Sequence, residues 1–177
     1  MDKKELRKTV YKKAEELDAG YKQNAKEGIS RKVLESKAFR DAGTVFVFLN
    51  TENEPDTGRI LEAAKAAGKR VCVPRYKEKP FMDAVELTEE TRFSAGSFGI
   101  REPENGRVVA PSDIDLAIVP CVSVTADGRR LGHGGGFYDA FLSSLDAVKM
   151  CVCFKKLLLP DIPVTERDVN MDIVITE

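Results

Sequence analysis

The residues with the chemistry of a site crowd into one stretch, RRLGHGGGFYDAFL at residues 129–142, which holds four glycines, the only histidine of the chain, adjacent aromatics and an aspartate. Gly132, Gly134, Gly135 and Gly136 let backbone N–H groups approach an anion, because no side chain stands between them and the ligand. Arg130, preceded by Arg129, adds positive charge. Asp139 adds a carboxylate of the kind that holds magnesium beside bound phosphates, since that ion keeps most of its water and takes one or two protein carboxylates. The residues alone leave two readings open: a cradle for a nucleotide or phosphate with Mg²⁺, or a glycine turn that lets a strand pack closely on a helix. A dinucleotide fingerprint is excluded, because Phe137 stands where the third glycine of GxGxxG would fall. A Walker loop is excluded by the lack of Gly-Lys-Ser or Gly-Lys-Thr, and GSFG at residues 96–99 does not make a nucleophile elbow.

Elements of known type must carry this loop. Leu6, Val10, Ala14, Leu17 and Tyr21 recur at helical spacing and predict one amphipathic helix over 3–26. Ser30 reads as the N-cap of a second helix reaching residue 41. TVFVFL (44–49) is a β-branched and aromatic run, the pattern of a strand buried on both faces. A helix over 57–67, ended by Gly68, and the strand KRVCVP (69–74) complete a βαβ unit. FMDAVEL (81–87) is a further strand, and RFSAGSFGIREPENG (92–106) reads as an ordered surface loop. DLAIVP (115–120) is a central strand, the glycine loop follows, and a helix runs from about Gly136 to Ser144. KMCVCF (149–154) and MDIVIT (171–176) close the list. Alternation of buried strands with helices predicts an α/β fold: an open, mostly parallel sheet with helices on both faces, a Rossmann-like three-layer sandwich formed as one domain over 1–177. In such sheets ligands collect beyond the carboxyl ends of the strands, where the glycine loop lies.

Composition narrows the class. With 28 basic and 29 acidic residues and a net charge of -1, the chain lacks the basic excess of a general nucleic-acid surface. No apolar run approaches membrane-spanning length, and the N-terminal MDKKELRKTVYKK carries charge where a signal peptide would be apolar. Cys72, Cys121, Cys151 and Cys153 lie in or beside apolar runs, as buried reduced thiols do. The expectation is a cytoplasmic protein, a monomer or weak homodimer, without a nucleic-acid or membrane partner.

Seven segments in order, KKELRK, NEPDT, VPRY, SFGIREP, DLAIVP, RRLGHGGGFYDAFL and IPVTERDVNMDIVIT, together resemble the 5-formyltetrahydrofolate cyclo-ligases, and the glycine stretch is similar to their RLGxGxGYYD motif. The resemblance covers nearly the whole chain. It implies an ATP- and Mg²⁺-dependent ligase that cyclises 5-formyltetrahydrofolate, with or without a polyglutamate tail, to 5,10-methenyltetrahydrofolate, releasing ADP and phosphate through a phosphorylated formyl intermediate. By resemblance, Lys3, Lys4, Arg7, Arg130, Gly132, His133, Gly134, Gly135, Gly136 and Tyr138 bind the nucleotide, with Arg130 and Tyr138 catalytic. Leu49, Glu54 and Phe137 meet the folate, Asp139 and Asp168 hold the metal, and Arg75 is placed to meet the glutamate tail. The chain departs from the family pattern at Leu157, where a glutamine is usual, at Arg167, where a histidine often stands, and at Phe137, which lacks the tyrosine hydroxyl. A non-catalytic nucleotide- or folate-binding paralogue is the alternative, and a dinucleotide oxidoreductase is disfavoured by the missing early fingerprint.

Overall fold

The computed structural model describes residues 1–177. The helices are α1 (Lys3–Glu15), α2 (Ala19–Glu35), α3 (Lys37–Asp41), α4 (Gly58–Ala66) and α5 (Phe137–Leu142). The strands are β1 (Thr44–Val47), β2 (Arg70–Tyr76), β3 (Met82–Glu86), β4 (Phe93–Ala95), β5 (Arg101–Pro103), β6 (Val108–Val109), β7 (Leu116–Val119), β8 (Ser123–Val124), β9 (Arg130–Leu131), β10 (Val148–Val152) and β11 (Ile173–Ile175).

Seven strands form one sheet in the order β11-β10-β7-β1-β2-β3-β6. The five from β11 to β2 are parallel, while β3 and β6 extend the edge antiparallel. Every residue of β7, and Val45, Phe46 and Val47 of β1, is buried, so helices must cover both faces of the centre. From one side Phe141 of α5 packs its ring 4.7 Å from that of Phe46, and α4 packs on β1 and β2. Thirty-eight buried residues form a continuous apolar cluster. From β1 the chain moves to β2 on one side and later to β7 on the other. The sheet order therefore reverses between β1 and β7, and a crevice opens beyond their carboxyl ends, the usual ligand position in such sheets.

Three local expectations are corrected. The single helix over 3–26 is two helices, because the Asp18 side chain accepts the Tyr21 N–H at 3.0 Å and starts a new helix there. Ser30 is no cap. It lies buried inside α2 with its hydroxyl donating to the Asp56 carbonyl at 3.3 Å, and Ser36 instead separates α2 from α3 by accepting the Phe39 N–H. The surface loop over 92–106 contains the β4–β5 hairpin. A second hairpin, β8–β9, stands between β7 and the glycine loop; its strands of two residues are too short to show an alternation in sequence. No helix is long and apolar enough to cross a membrane. The four cysteines are free thiols, Cys121 half-buried and the others buried, and burial pushes the Cys72 thiol up to about 12.

Candidate active site

The crevice is a cavity of ≈ 420 Å³, and α1, the loop after β1, the end of β2, the β4–β5 hairpin, β9, the glycine loop, α5 and the segment before β11 all contribute to its wall.

The glycine loop forms one side. None of the backbone N–H groups of Gly132, His133, Gly134, Gly135 and Gly136 donates to another group of the protein. Such a run of free donors at a cavity wall is an anion cradle. Gly136 enters α5 with φ +76°, a left-handed conformation that glycine adopts without cost. Gly132 is required by proximity, since a Cβ there would stand 3.0 Å from one terminal nitrogen of Arg130 and 3.1 Å from the other.

Arg130 opens β9 and is buried, whereas Arg129, in the turn before the strand, pairs with Asp127 and Asp161. Arg130 is 3 % exposed along its side chain. One terminal nitrogen donates to the Pro120 carbonyl at 3.0 Å and the other meets Asp139 Oδ1 at 3.3 Å, while the guanidinium lies 5.6 Å from the centre of the Tyr138 ring. Its Nε has no partner. A buried donor left unmatched costs about 1–3 kcal/mol, so the site holds an unmet demand for an acceptor beside its strongest cation.

Helix α1 supplies the second set of cations. An Asp2–Glu5 capping box fixes its start. Lys3 and Arg7, one turn apart, therefore share the face that lines the cavity, and Tyr11 continues it. The Lys3 ammonium meets Asp168 Oδ1 at 2.5 Å, and Arg7 Nε donates to the Gly132 carbonyl at 2.6 Å. Burial alone would raise the Asp168 carboxyl, but the hydrogen bonds from Lys3 and from Thr165 outweigh it and hold it below the ordinary range.

The facing wall is aromatic and acidic. Tyr76, Phe98 and Phe137 meet edge-to-face, Tyr76 to Phe137 at 5.0 Å and Phe98 to Phe137 at 6.1 Å. Phe98 is 71 % exposed and takes φ +63° at the hairpin tip. Leu49, at the carboxyl end of β1, lies beside them in the wall. Glu54 Oε2 accepts the Thr51 N–H at 2.7 Å and Oε1 meets His133 Nε2 at 3.2 Å. Burial would raise this carboxyl, yet its hydrogen bonds hold it below the usual range, so it is an anion at neutral pH. Tyr138 has the reverse balance: burial pushes its hydroxyl well above 10 and keeps it protonated.

Of the residues expected from sequence, Lys3, Arg7, Leu49, Glu54, Arg130, Gly132, His133, Gly134, Gly135, Gly136, Phe137, Tyr138, Asp139 and Asp168 all line this cavity. Two do not. Lys4 lies off the Lys3–Arg7 face and is exposed. Arg75 sits in β2 next to Tyr76, so the pleat turns it to the opposite face, where it pairs with Asp83 at 3.4 Å. Phe48, Thr51, Tyr76, Phe98, Ile100 and Pro120 also line the wall, and nothing in the residue pattern singles them out. VPRY and SFGIREP contain the two aromatics, but which side chain of a strand faces the ligand depends on where the sheet begins its alternation. Leu157, at the departure from the glutamine pattern, is buried core, and Arg167 is exposed.

Asp139 and Asp168 suit magnesium as a pair of wall carboxylates that leaves the remaining positions to phosphate and water. Asp139 Oδ1 is engaged by Arg130 and by the Val169 N–H, leaving Oδ2 free, whereas both oxygens of Asp168 already accept protein hydrogen bonds.

The model of the 5-formyltetrahydrofolate cyclo-ligase family matches residues 1–177. A probable 5-formyltetrahydrofolate cyclo-ligase of Caenorhabditis elegans is 30% identical over 192 residues, covering 99% of this chain and 92% of the relative. The 5-formyltetrahydrofolate cyclo-ligase of Mus musculus is 29% identical, covering 84% of this chain and 80% of its own. The solved structure of Aquifex aeolicus 5,10-methenyltetrahydrofolate synthetase superposes with a TM-score of 0.86 at 26% identity, over 99% of this chain and 89% of that one.

Proposed function

The chain belongs to the 5-formyltetrahydrofolate cyclo-ligase family, and from that premise we propose that its cavity closes 5-formyltetrahydrofolate to 5,10-methenyltetrahydrofolate at the expense of ATP. The observation that carries the proposal is the polarity of the cavity: Lys3, Arg7, Arg130 and five unpaired N–H groups on one side, an anionic Glu54 and three aromatic rings on the other. The first side suits a triphosphate. The second suits a flat heterocycle whose ring N–H groups donate to a carboxylate and whose faces lie against aromatic edges.

The reaction needs such a division. A formamide oxygen is a poor leaving group, and phosphorylation turns it into a good one; N10 of the folate then attacks the activated carbon and phosphate departs. The protein's task is to bring the formyl oxygen to the γ-phosphorus and to neutralise charge spread over the phosphoryl oxygens. In this chain Arg130 fills that second role with a guanidinium oriented by Pro120 and Asp139. Tyr138, protonated and packed on Arg130, supplies a neutral donor beside it. Arg7 holds the loop by its Gly132 carbonyl, and Lys3 adds a cation. Phe98 and Phe137 with Tyr76 flank the pterin, and Leu49 and Glu54 fix its edge.

Asp139 and Asp168 would hold Mg²⁺, which would neutralise phosphate charge beside them. Asp139 offers a free oxygen for this, while Asp168 must release Lys3 or Thr165 to contribute more than a shared contact. One domain over 1–177 accords with the single apolar cluster, and residence in the cytoplasm accords with four free thiols.

The test is growth of the near-ultraviolet band of the methenyl product from 5-formyltetrahydrofolate, ATP and Mg²⁺. The band should require ATP and fall at least about a hundredfold in rate in Asp139→Ala. ATP binding by a folded protein with no turnover would replace the ligase by a binding protein.

A further inference from the structure

His133 occupies a variable position of the glycine motif, and the structure gives it a specific set of contacts. Its Nδ1 lies 3.0 Å from the Tyr11 hydroxyl of α1, and the two rings stack at 6.2 Å with 23° between their planes. Its Nε2 lies 3.2 Å from Glu54 Oε1. Glu54 is only 12 % exposed, and its second oxygen is taken by the Thr51 N–H. Three separate elements, α1, the glycine loop and the loop after β1, thus meet through one chain of polar contacts at the rim of the cavity.

The order of donors in that chain is determined by chemistry. An ionised carboxylate accepts only, so Nε2 must carry the proton that faces Glu54. A neutral ring then has a bare Nδ1, and the tyrosine hydroxyl is the donor that fits it. The other cation near this ring, Arg7, is committed to the Gly132 carbonyl at 2.6 Å and does not compete for Glu54.

We propose that Tyr11 and His133 are positioning residues for Glu54: the Tyr11 hydroxyl fixes the Nε2–H tautomer of His133, and that N–H holds one carboxylate oxygen so that Glu54 meets the N–H donors of the folate in one orientation. The inference rests on the assignment of Glu54 to the folate side of the cavity. It gives the histidine no proton to transfer. Its effect falls on the folate, because what its ring holds is the carboxylate, while Arg7 holds the glycine loop by the Gly132 carbonyl.

Two measurements test it. The chain has one histidine, so a long-range ¹H–¹⁵N spectrum of the ligand-free protein at about pH 8 reads a single ring. The expected spectrum has a protonated Nε2 and a bare Nδ1, with the Nδ1 resonance displaced in Tyr11→Phe. A protonated Nδ1, or an Nδ1 resonance indifferent to Tyr11→Phe, overturns the tautomer assignment whether or not the protein turns over folate. In the methenyl assay, His133→Phe should raise KM for 5-formyltetrahydrofolate about tenfold, the weight of one hydrogen bond to a charged group, with kcat and KM for ATP within about twofold of wild type. His133→Gln, whose amide N–H reaches as Nε2 does, should recover most of the loss. An unchanged folate KM, an ATP KM that rises in step, or failure of glutamine to rescue would each overturn the proposal. A wild-type protein without turnover would instead refute the ligase reading and leave the spectroscopic result standing.

Discussion

Replacing Arg130 with methionine keeps the apolar stem of a side chain that is 3 % exposed, and removes the five N–H donors of its guanidinium. The structure sets two opposing effects on stability. The Pro120 carbonyl loses its hydrogen bond and Asp139 loses its cationic partner, keeping the Val169 N–H, which costs about 1–3 kcal/mol. Against this, an unmatched Nε and a buried charge disappear, and apolar replacement of buried ionic groups is often neutral. A net loss of at most about 2 kcal/mol lowers Tm by no more than about 8 °C in a chain of this size, so the variant should be folded at 25 °C. Activity should respond far more. One preorganised donor aimed at developing charge is worth about 10²–10³ in kcat, and kcat/KM for ATP should fall at least about a hundredfold. Arg130→Lys should recover little, because an ammonium is a point charge that cannot reach Pro120, Asp139 and a phosphate in the geometry of a planar fork. Methenyl formation followed at saturating folate, with circular dichroism and thermal melts on the same samples, separates the two effects. A folded Arg130→Met enzyme that keeps more than about a tenth of wild-type kcat/KM would refute the assignment of Arg130 to the transferring phosphoryl group.

The remaining predictions use neighbouring parts of the wall. Phe98 is exposed and held at φ +63°, so Phe98→Gly should leave Tm unchanged or raise it by a few degrees, relief of left-handed strain of about 1 kcal/mol offsetting the flexibility of glycine, while KM for the folate rises about tenfold; an unchanged KM would remove Phe98 from the site. Lys3→Ala should raise KM for ATP about tenfold through loss of one charge-assisted contact, and Lys4→Ala, one residue away but off the cavity face, should leave it within about twofold. Gly132→Ala brings a methyl within 3.1 Å of both terminal nitrogens of Arg130 and should reduce kcat/KM for ATP in the same direction as Arg130→Met, at a cost in stability of about 1–3 kcal/mol seen in a thermal melt. Glu54 titrates below its ordinary value of 4.5 in the folded chain, so its contribution to stability is complete above about pH 4.5 and lost as pH falls through the lower folded value. Glu54→Gln should therefore flatten the dependence of Tm on pH in that acid window, and a parallel curve would show that the hydrogen bonds to His133 and Thr51 carry no such linkage.

Periodicity and residue type made much of this protein legible. The apolar runs at β1 and β7 read as strands buried on both faces, as they are, and a chain alternating such runs with helices leaves a mostly parallel sheet as the economical solution. The glycine loop was readable as a cradle because the absence of side chains is itself the local signal. The breaks were less readable. Asp18 and Ser36 interrupt helices by offering a side-chain oxygen to a backbone N–H, and the same residue types sit harmlessly within helices elsewhere, as Ser30 does. The hairpins β4–β5 and β8–β9 have strands of two or three residues, too short for alternation to register.

By itself, then, the sequence determined the class of fold and the stretch of chain that bears each class of donor. Which donors face one another was decided only by the tertiary structure. Arg129 and Arg130 are equivalent as sequence, yet the start of β9 buries one beside Asp139 while the turn before it leaves the other with Asp127 and Asp161. Arg75 and Tyr76 are divided by the pleat of β2, and on α1 Lys3 and Arg7 meet the cavity while Lys4 meets solvent. The physical reason is that period alone fixes the spacing of side chains but not their phase. Phase is set by what the element packs against, and for β2, β9 and α1 those partners include segments well apart in the chain: β1 and the β4–β5 hairpin, the turn ahead of β11, and the glycine loop more than a hundred residues on.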